Sequence, residues 1–397
     1  TETRLHTGTG RLVRVDPIDP APAEGLRLVG DYGGFDGPVS RTSTTHDDAM
    51  PGFGLDEPGV YIPATANVRV LGDYAFLARF YDGLRVLDIS DPVRIQEVAH
   101  APVTDVGAKY YNDVKLFSTS GRDYAVLSDE QVGLVVYDVT DPYLPTVVST
   151  FFPGLQEEGD LLNNHTVYME GTTAYLGNYG MSRALDPSGN NSGGLLIVDL
   201  ADPARPKEVG RWLASELGGA IVHDLYIEDG IAYLCCWEIG LVVMDVRDPA
   251  NLRILGRFTY DRMKSHSVWV TSFNGRKIAV HGDEDFGAHV RIVDVDPASP
   301  EFMTQLSEFQ LRPEVSVHNI VAVGHEAIAA WYQDGIRVLD LSNPYQPKQV
   351  AYYNTWDGPS NPVCGHSFFE GGIGVEVVGD RIYLADIYKG LLILERE

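Results

Sequence analysis

The sequence predicts an all-β chain folded as a seven-bladed β-propeller. Three observations carry this expectation. One phrase ending in an Asp-Pro turn recurs along the chain, each copy is flanked by further short strands, and the two ends hold complementary parts of one unit.

The phrase reads GLRVLDISDP from Gly83, GLVVYDVTDP from Gly133, GLLIVDLADP from Gly194 and GLVVMDVRDP from Gly240. It returns as HVRIVDVDP from His289, GIRVLDLSNP from Gly335 and a truncated GLLILERE from Gly390. Copies stand roughly 45–60 residues apart, the spacing of propeller blades. Each is a β-branched and leucine-rich run, a strand composition. The Asp and Pro that follow are turn chemistry: Asp bonds nearby backbone and Pro fixes φ. Asp88, Asp91, Asp138 and Asp141 are therefore expected to cap turns rather than to bind metal.

Two strands joined by a tight turn precede each copy, as in NVRVLGDYAFLAR from Asn67, and a fourth follows, as in QEVAH from Gln96. Four antiparallel strands make one blade. The N-terminal GRLVRVDPIDPAPAEGLRLVGDY reads as a third strand, a turn and a fourth strand. The C-terminus supplies a first (VEVV), a second (RIYLAD) and a third (LLIL). Together they complete a seventh blade and hide both sheet edges. One domain over residues 1–397 is expected, with closing strands in 1–35 and C-terminal strands of the shared blade in 375–394. LVRV from Leu12 and LLIL from Leu391 compete for its third position.

The phrases GLLIVDLADP and GLRVLDISDP resemble the LVIVD repeat family, whose members are predicted or observed propellers. The resemblance covers nearly the whole chain and implies the fold. It implies no activity, because propellers host many unrelated functions.

Of the 397 residues, 56 are acidic and 30 basic, a net charge of −26. Phosphate binding needs a basic patch, so nucleic acid and anionic membranes are disfavoured as partners. No apolar run approaches the roughly 20 residues of a membrane span. The expected partner is a small-molecule substrate. Cys235, Cys236 and Cys364 are too few for a disulfide framework. Compartment is legible only as a slight leaning to a secreted or periplasmic place.

The chemical lead is histidine. We aligned the blades on the turn between their first two strands, at Gly72, Ser118, Gly171, Asp229, Ser272, Gly324 and Gly379. Six residues earlier stand Ala66, Asn112, His165, His223, His266, His318 and Ile373. First strands line a propeller's channel, so four imidazoles from adjacent blades are expected to converge on the axis. Such a set suits a divalent transition metal (Fe, Zn, Mn, Cu or Ni). The ends of the second strands add acids and aromatics. Glu238, Asp283, Asp129, His281 and His366 are candidate catalytic groups. Arg79, Tyr81, Asn112, Asn178, Trp237, Trp331, Gln333 and Tyr388 are candidate substrate contacts.

Two readings stay open. In one, His165, His223, His266 and His318 hold a metal at the active site of a lyase or oxygenase acting on a small organic or sugar-derived substrate. In the other, the histidines brace neighbouring blades of a secreted or surface scaffold that binds protein or carbohydrate. Carotenoid-cleavage oxygenases, with Fe held by four His on a propeller axis, and oligogalacturonate lyases, with Mn at a propeller centre, are similar in architecture. Neither family's motifs stand in this chain.

Overall fold

The structure, a computed structural model, describes residues 18–19, 21–33, 39–40, 60–61, 65–80, 82–101, 111–129, 133–151, 164–178, 193–219, 221–355 and 371–397. They form a ring of seven four-stranded antiparallel blades. Blade 1 runs through Thr65–Leu71, Tyr74–Arg79, Gly83–Asp88 and Gln96–Ala101. Blades 2 to 6 repeat this order from Tyr111, Asn164, Asp224, Ser265 and Ile320. Blade 7 takes Gly372–Val378, Arg381–Asp386 and Gly390–Arg396 from the C-terminal part and its outer strand, Leu26–Tyr32, from the N-terminal part. The register pairs Leu26 with Arg396 and Tyr32 with Leu391. The LLIL run thus fills the third position, while LVRV lies outside the described residues. Ala23–Glu24 adds a short fifth strand to blade 6, paired with Tyr352 and Tyr353. Among the described residues no helix is long and apolar enough to cross a membrane.

Middle strands are covered on both faces by neighbouring blades, and so they read as continuous apolar runs. Every residue of Gly133–Asp138 is buried, whereas the outer strand Gln96–Ala101 contains no buried residue. The core follows the ring. One cluster joins Tyr226, Tyr233 and Val243 of blade 4 to Val268, Val270 and Val293 of blade 5. Another joins Val338 of blade 6 to Leu384 and Leu394 of blade 7.

The Asp residues of the recurring phrase cap turns. Asp88 accepts from the Ser90 amide at 2.9 Å, and Asp138 from that of Thr140 at 3.0 Å. Asp91 and Asp141 likewise accept from Val93 and Tyr143.

The proline beyond has a further use. Each outer strand carries a register irregularity opposite the third strand, followed by a small residue: Ala99, Ser149, Gly210, Gly256, Ser307, Ala351 and Gly30. At several joints the next blade's turn docks there. Ser149 Oγ donates to the Pro203 carbonyl at 2.6 Å, and Ser307 Oγ to that of Pro344 at 2.5 Å. The ring-closing joint has the same form. A Cβ at Gly30 would stand 1.9 Å from the Pro92 carbonyl oxygen, so only glycine lets the N-terminal strand meet blade 1.

Candidate functional site

The seven aligned positions share a backbone device. The pairing of first and second strands shifts register at Ala66, Asn112, His165, His266 and Ile373. His223 and His318 stand just before the named strands of blades 4 and 6, their amides bonded to the Cys235 and Ala330 carbonyls at 2.8 Å. A bulge breaks the alternation of faces and re-aims a side chain. Here it lets two successive residues face the channel: Asn112 and Asp113, His165 and Thr166, His223 and Asp224, His318 and Asn319 all line it.

The first residue of each pair forms the axial layer. Ring centroids are 4.3 Å apart for His165 and His223, 4.1 Å for His223 and His266, and 4.2 Å for His266 and His318. The imidazoles form an arc over four blades. Burial and the neighbouring rings hold His223 and His266 well below the ordinary imidazole range, and burial pushes His318 down to about 3. All three are neutral at pH 7, the state in which imidazole ligates.

A carboxylate joins the arc. Glu284 Oε2 lies 3.5 Å from His266 Nε2 and 3.8 Å from His223 Nε2, and Oε1 lies 3.8 Å from His318 Nε2. Burial pushes Glu284 up to about 7, against the stabilising hydrogen bond donated by Tyr332 Oη. His223, His266 and Glu284 offer ligand atoms mutually within 4.8 Å. A tetrahedral ion with bonds of about 2.0–2.1 Å sets neighbouring ligands about 3.3–3.4 Å apart. The gaps from Glu284 to the two imidazoles, 3.5 and 3.8 Å, exceed that by no more than about 0.5 Å. His318 Nδ1 lies 2.7 Å from the Ile373 carbonyl, to which it donates. That bond leaves Nε2 as the ring's acceptor, the arrangement seen around metal-bound histidines. His165 is placed differently. Its Nε2 accepts from Asn112 Nδ2 at 2.9 Å, which removes it from the group around Glu284.

The second residue of each pair does the bracing. Asn67 donates to Asp113 at 2.7 Å, Thr166 donates to Asp113 at 2.8 Å with Asp224 at 3.3 Å from the same hydroxyl, and Ser267 donates to the His318 carbonyl at 2.6 Å. Each bond crosses to another blade. Asp113 also takes Lys115 and the amides of Val114 and Val167. A channel cavity of about 40 Å³ lies among these residues, with Arg69, Lys115, Tyr168 and Trp269 further along its wall.

Two aromatics close on the arc from strained backbone. Trp237 (φ 23°) stacks on His223 at 4.8 Å, and Tyr332 (φ 38°) meets His318 edge-on at 5.0 Å. Left-handed conformation in bulky residues costs about 1–3 kcal/mol and clusters at functional sites. Each forms an isolated bridge to the next blade, to Ser265 and to Gly372. A Cβ at Gly371 would lie 2.4 Å from the Tyr332 carbonyl oxygen, so that position takes glycine.

The other candidates are placed as follows. Asp283 is bound by Arg291 of its own blade and by Tyr260 of the link from blade 4, and its neighbour Glu284 takes the axial place. His281 is buried against Tyr260 and Phe258, bonded to Ser265 Oγ at 2.8 Å and pushed down to about 3 by burial, a core position. Glu238 is exposed and paired with Lys264. Asp129 is wholly buried at the end of its strand. Arg79 is locked to Asp82 and Thr65. Trp331 is fully buried against Phe309, and Asn178 and Gln333 are buried too, so these three offer no contact surface. Tyr388 packs against the core. Asn112 and Trp237 touch the arc. His366 and Tyr81 lie outside the described residues. Neither Tyr332 nor Glu284 stands among the catalytic or substrate-contact candidates drawn from the sequence.

The family model of the LVIVD repeat matches residues 64–100, 189–214 and 219–260. These three segments match the LVIVD repeat. Among solved structures, this propeller is similar to the computationally designed Ika8 protein, with 9% identity and a TM-score of 0.51 over 85% of this chain and 97% of that one. It is also similar to Raptor of Chaetomium thermophilum, with 10% identity and a TM-score of 0.61 over 87% of this chain and 29% of that one. At such identity both speak to the fold alone. A search of curated proteins gives no match.

Proposed function

We propose that this propeller is a metal-dependent protein that holds a divalent transition ion on its axis through His223, His266 and Glu284, with His318 beside them. The observation that carries the reading is His266. It is 1% exposed, and neither ring nitrogen has a hydrogen-bond partner among the described residues. Leaving a buried polar atom unsatisfied costs about 1–3 kcal/mol. An ion between Nε2 and Glu284 removes that cost at one atom and neutralises the carboxylate.

The donor set fits. Neutral imidazoles with one carboxylate suit Zn, Fe, Mn, Cu or Ni, and a carboxylate in the set replaces the all-histidine set expected from sequence. Such an ion keeps net positive charge when loaded and supplies Lewis acidity toward a bound water or a substrate oxygen. The chain's own residues then bind, orient and exclude water: Trp237 covers His223, Tyr332 holds Glu284, and the Asp113 layer fixes the floor. The channel cavity beside the histidines admits a donor of water size.

A second reading has its own support. His318 bonded to Ile373 and His165 bonded to Asn112 are contacts between blades, as braces make. Metal analysis of purified protein before and after chelation, with Zn(II) titration of His223→Ala, separates the two. The metal reading expects one ion per chain in wild type and its loss in the variant, with the melting temperature of the chelated proteins little changed. Unchanged metal content with a lowered melting temperature would falsify the ligand role of His223.

A further inference from the structure

The two oxygens of Glu284 face different partners. Oε2 points at the imidazoles of His266 and His223, while Oε1 receives the Tyr332 hydroxyl. Tyr332 is wholly buried, and its ring is wedged edge-on against His318. Its backbone is fixed by the bridge to Gly372, where the Gly372 amide donates to the Tyr332 carbonyl at 2.9 Å. Burial, the ring contact and the bridge between blades 6 and 7 together hold the hydroxyl on the carboxylate. A carboxylate can close on an ion through one oxygen or two. Here one oxygen is already engaged by a rigid donor.

We infer that Tyr332 is a positioning residue that restricts Glu284 to a single ligating oxygen and so keeps a coordination position on the axial ion for a small outside donor, a water, a hydroxide or a small anion. The inference rests on the metal reading above. His223 Nε2, His266 Nε2 and Glu284 Oε2 supply three bonds of a tetrahedral set, His318 Nε2 stands on the Oε1 side at 3.8 Å, and the channel cavity beside the histidines admits a donor of water size at the fourth position. Without the hydroxyl, Oε1 is free to swing onto the ion and occupy the position meant for the outside ligand. This gives the strained φ of Tyr332 a use: the left-handed backbone turns the side chain inward, where the preceding residue, Trp331, points into the core.

The test uses the full chain loaded with Co(II), whose visible spectrum reports coordination, and azide as the outside ligand. Tyr332→Phe keeps the ring and removes only the hydroxyl. The expected result is one Co(II) per chain in both proteins, with azide affinity lowered about 10-fold or more in Tyr332→Phe. In a Glu284→Gln background, where the side chain has one carbonyl oxygen, adding Tyr332→Phe should change azide affinity no further. Equal azide affinity and equal Co(II) spectra for wild type and Tyr332→Phe, each with one Co(II) bound, overturn this inference alone. Wild type that binds no Co(II) overturns the axial site and this inference with it. A Tyr332→Phe effect that persists undiminished in the Glu284→Gln background also overturns it, since the hydroxyl would then act elsewhere.

Discussion

Blades 3 to 6 and blades 7, 1 and 2 use the same backbone device to different ends. At the channel-facing position the first group carries His165, His223, His266 and His318, and the second carries Ile373, Ala66 and Asn112. Further along the same strands the first group shows Tyr168, Tyr226, Trp269 and Val321, and the second shows Glu376, Arg69 and Lys115. The fold supplies the aim in every blade, and the residue decides whether the aim is chemical. The bracing layer runs through both halves, from Asn67 and Asp113 to Ser267. The histidines are therefore not needed as the general brace of the ring, which makes their confinement to one arc informative.

Asp113 is the centre of the bracing layer, bonded from Asn67, Thr166 and Val167 of the blades on either side. Asp113→Ala strips a buried carboxylate from Lys115 and from donors on three blades, and leaves that lysine unpaired. A loss of about 3–5 kcal/mol is expected, read by denaturant unfolding, with Zn(II) stoichiometry unchanged in whatever protein remains folded.

Glu284 gives the next effect. Its carboxyl is raised from about 4.5 to about 7, so folding favours the protonated form. The resulting stability is complete below about pH 4.5 and is lost as pH rises through about 7. For chelated protein, Glu284→Gln should gain about 3 kcal/mol on wild type between pH 4 and pH 8. Equal curves at both pH values would remove the case for a buried, ionising carboxyl. Metal binding by wild type should weaken on the acid side of the same window, since proton and ion compete for one group.

His266→Ala should weaken Zn(II) binding about 100-fold or more, while Asn112→Ala, at the same position in the other half, should leave it within a few-fold. Equal losses would mean that the position matters structurally in all blades. The smallest effect belongs to Ser267→Ala, which removes one bond to the His318 carbonyl. It should cost about 1 kcal/mol and leave metal affinity nearly intact.

The propeller and its closure were legible because repetition is carried by strand and turn chemistry, which is local. The arc was legible because counting back from a turn keeps register within a hairpin. It tolerated error: in blade 5 the turn is at Asn274 and Gly275, two residues beyond the Ser272 used for alignment, and His266 still holds its place. What failed was parity at the far ends of second strands. Asp283 and Trp331 were singled out, and in each case the following residue, Glu284 or Tyr332, faces the axis. A strand alternates its faces only while it remains a strand. Past Asp283 and Ala330 the chain leaves the ladder, and Tyr332 adopts a left-handed backbone that no periodicity announces.

The joint at Gly30 and Pro92 has a consequence for biosynthesis. Arg27 and Glu395, which pair in the finished molecule, are 368 residues apart along the chain. During translation the strand Leu26–Tyr32 emerges early and lacks its partner until Gly390–Arg396 has left the ribosome. Throughout that interval it is an unpaired edge, open to the wrong strand of this chain or of another. The glycine at position 30 serves then as a filter. Any neighbour can offer hydrogen bonds to the strand, but the proline turn of blade 1 must also find a gap with no side chain in it. Correct closure is thereby distinguished from a mispaired edge by shape as well as by pairing.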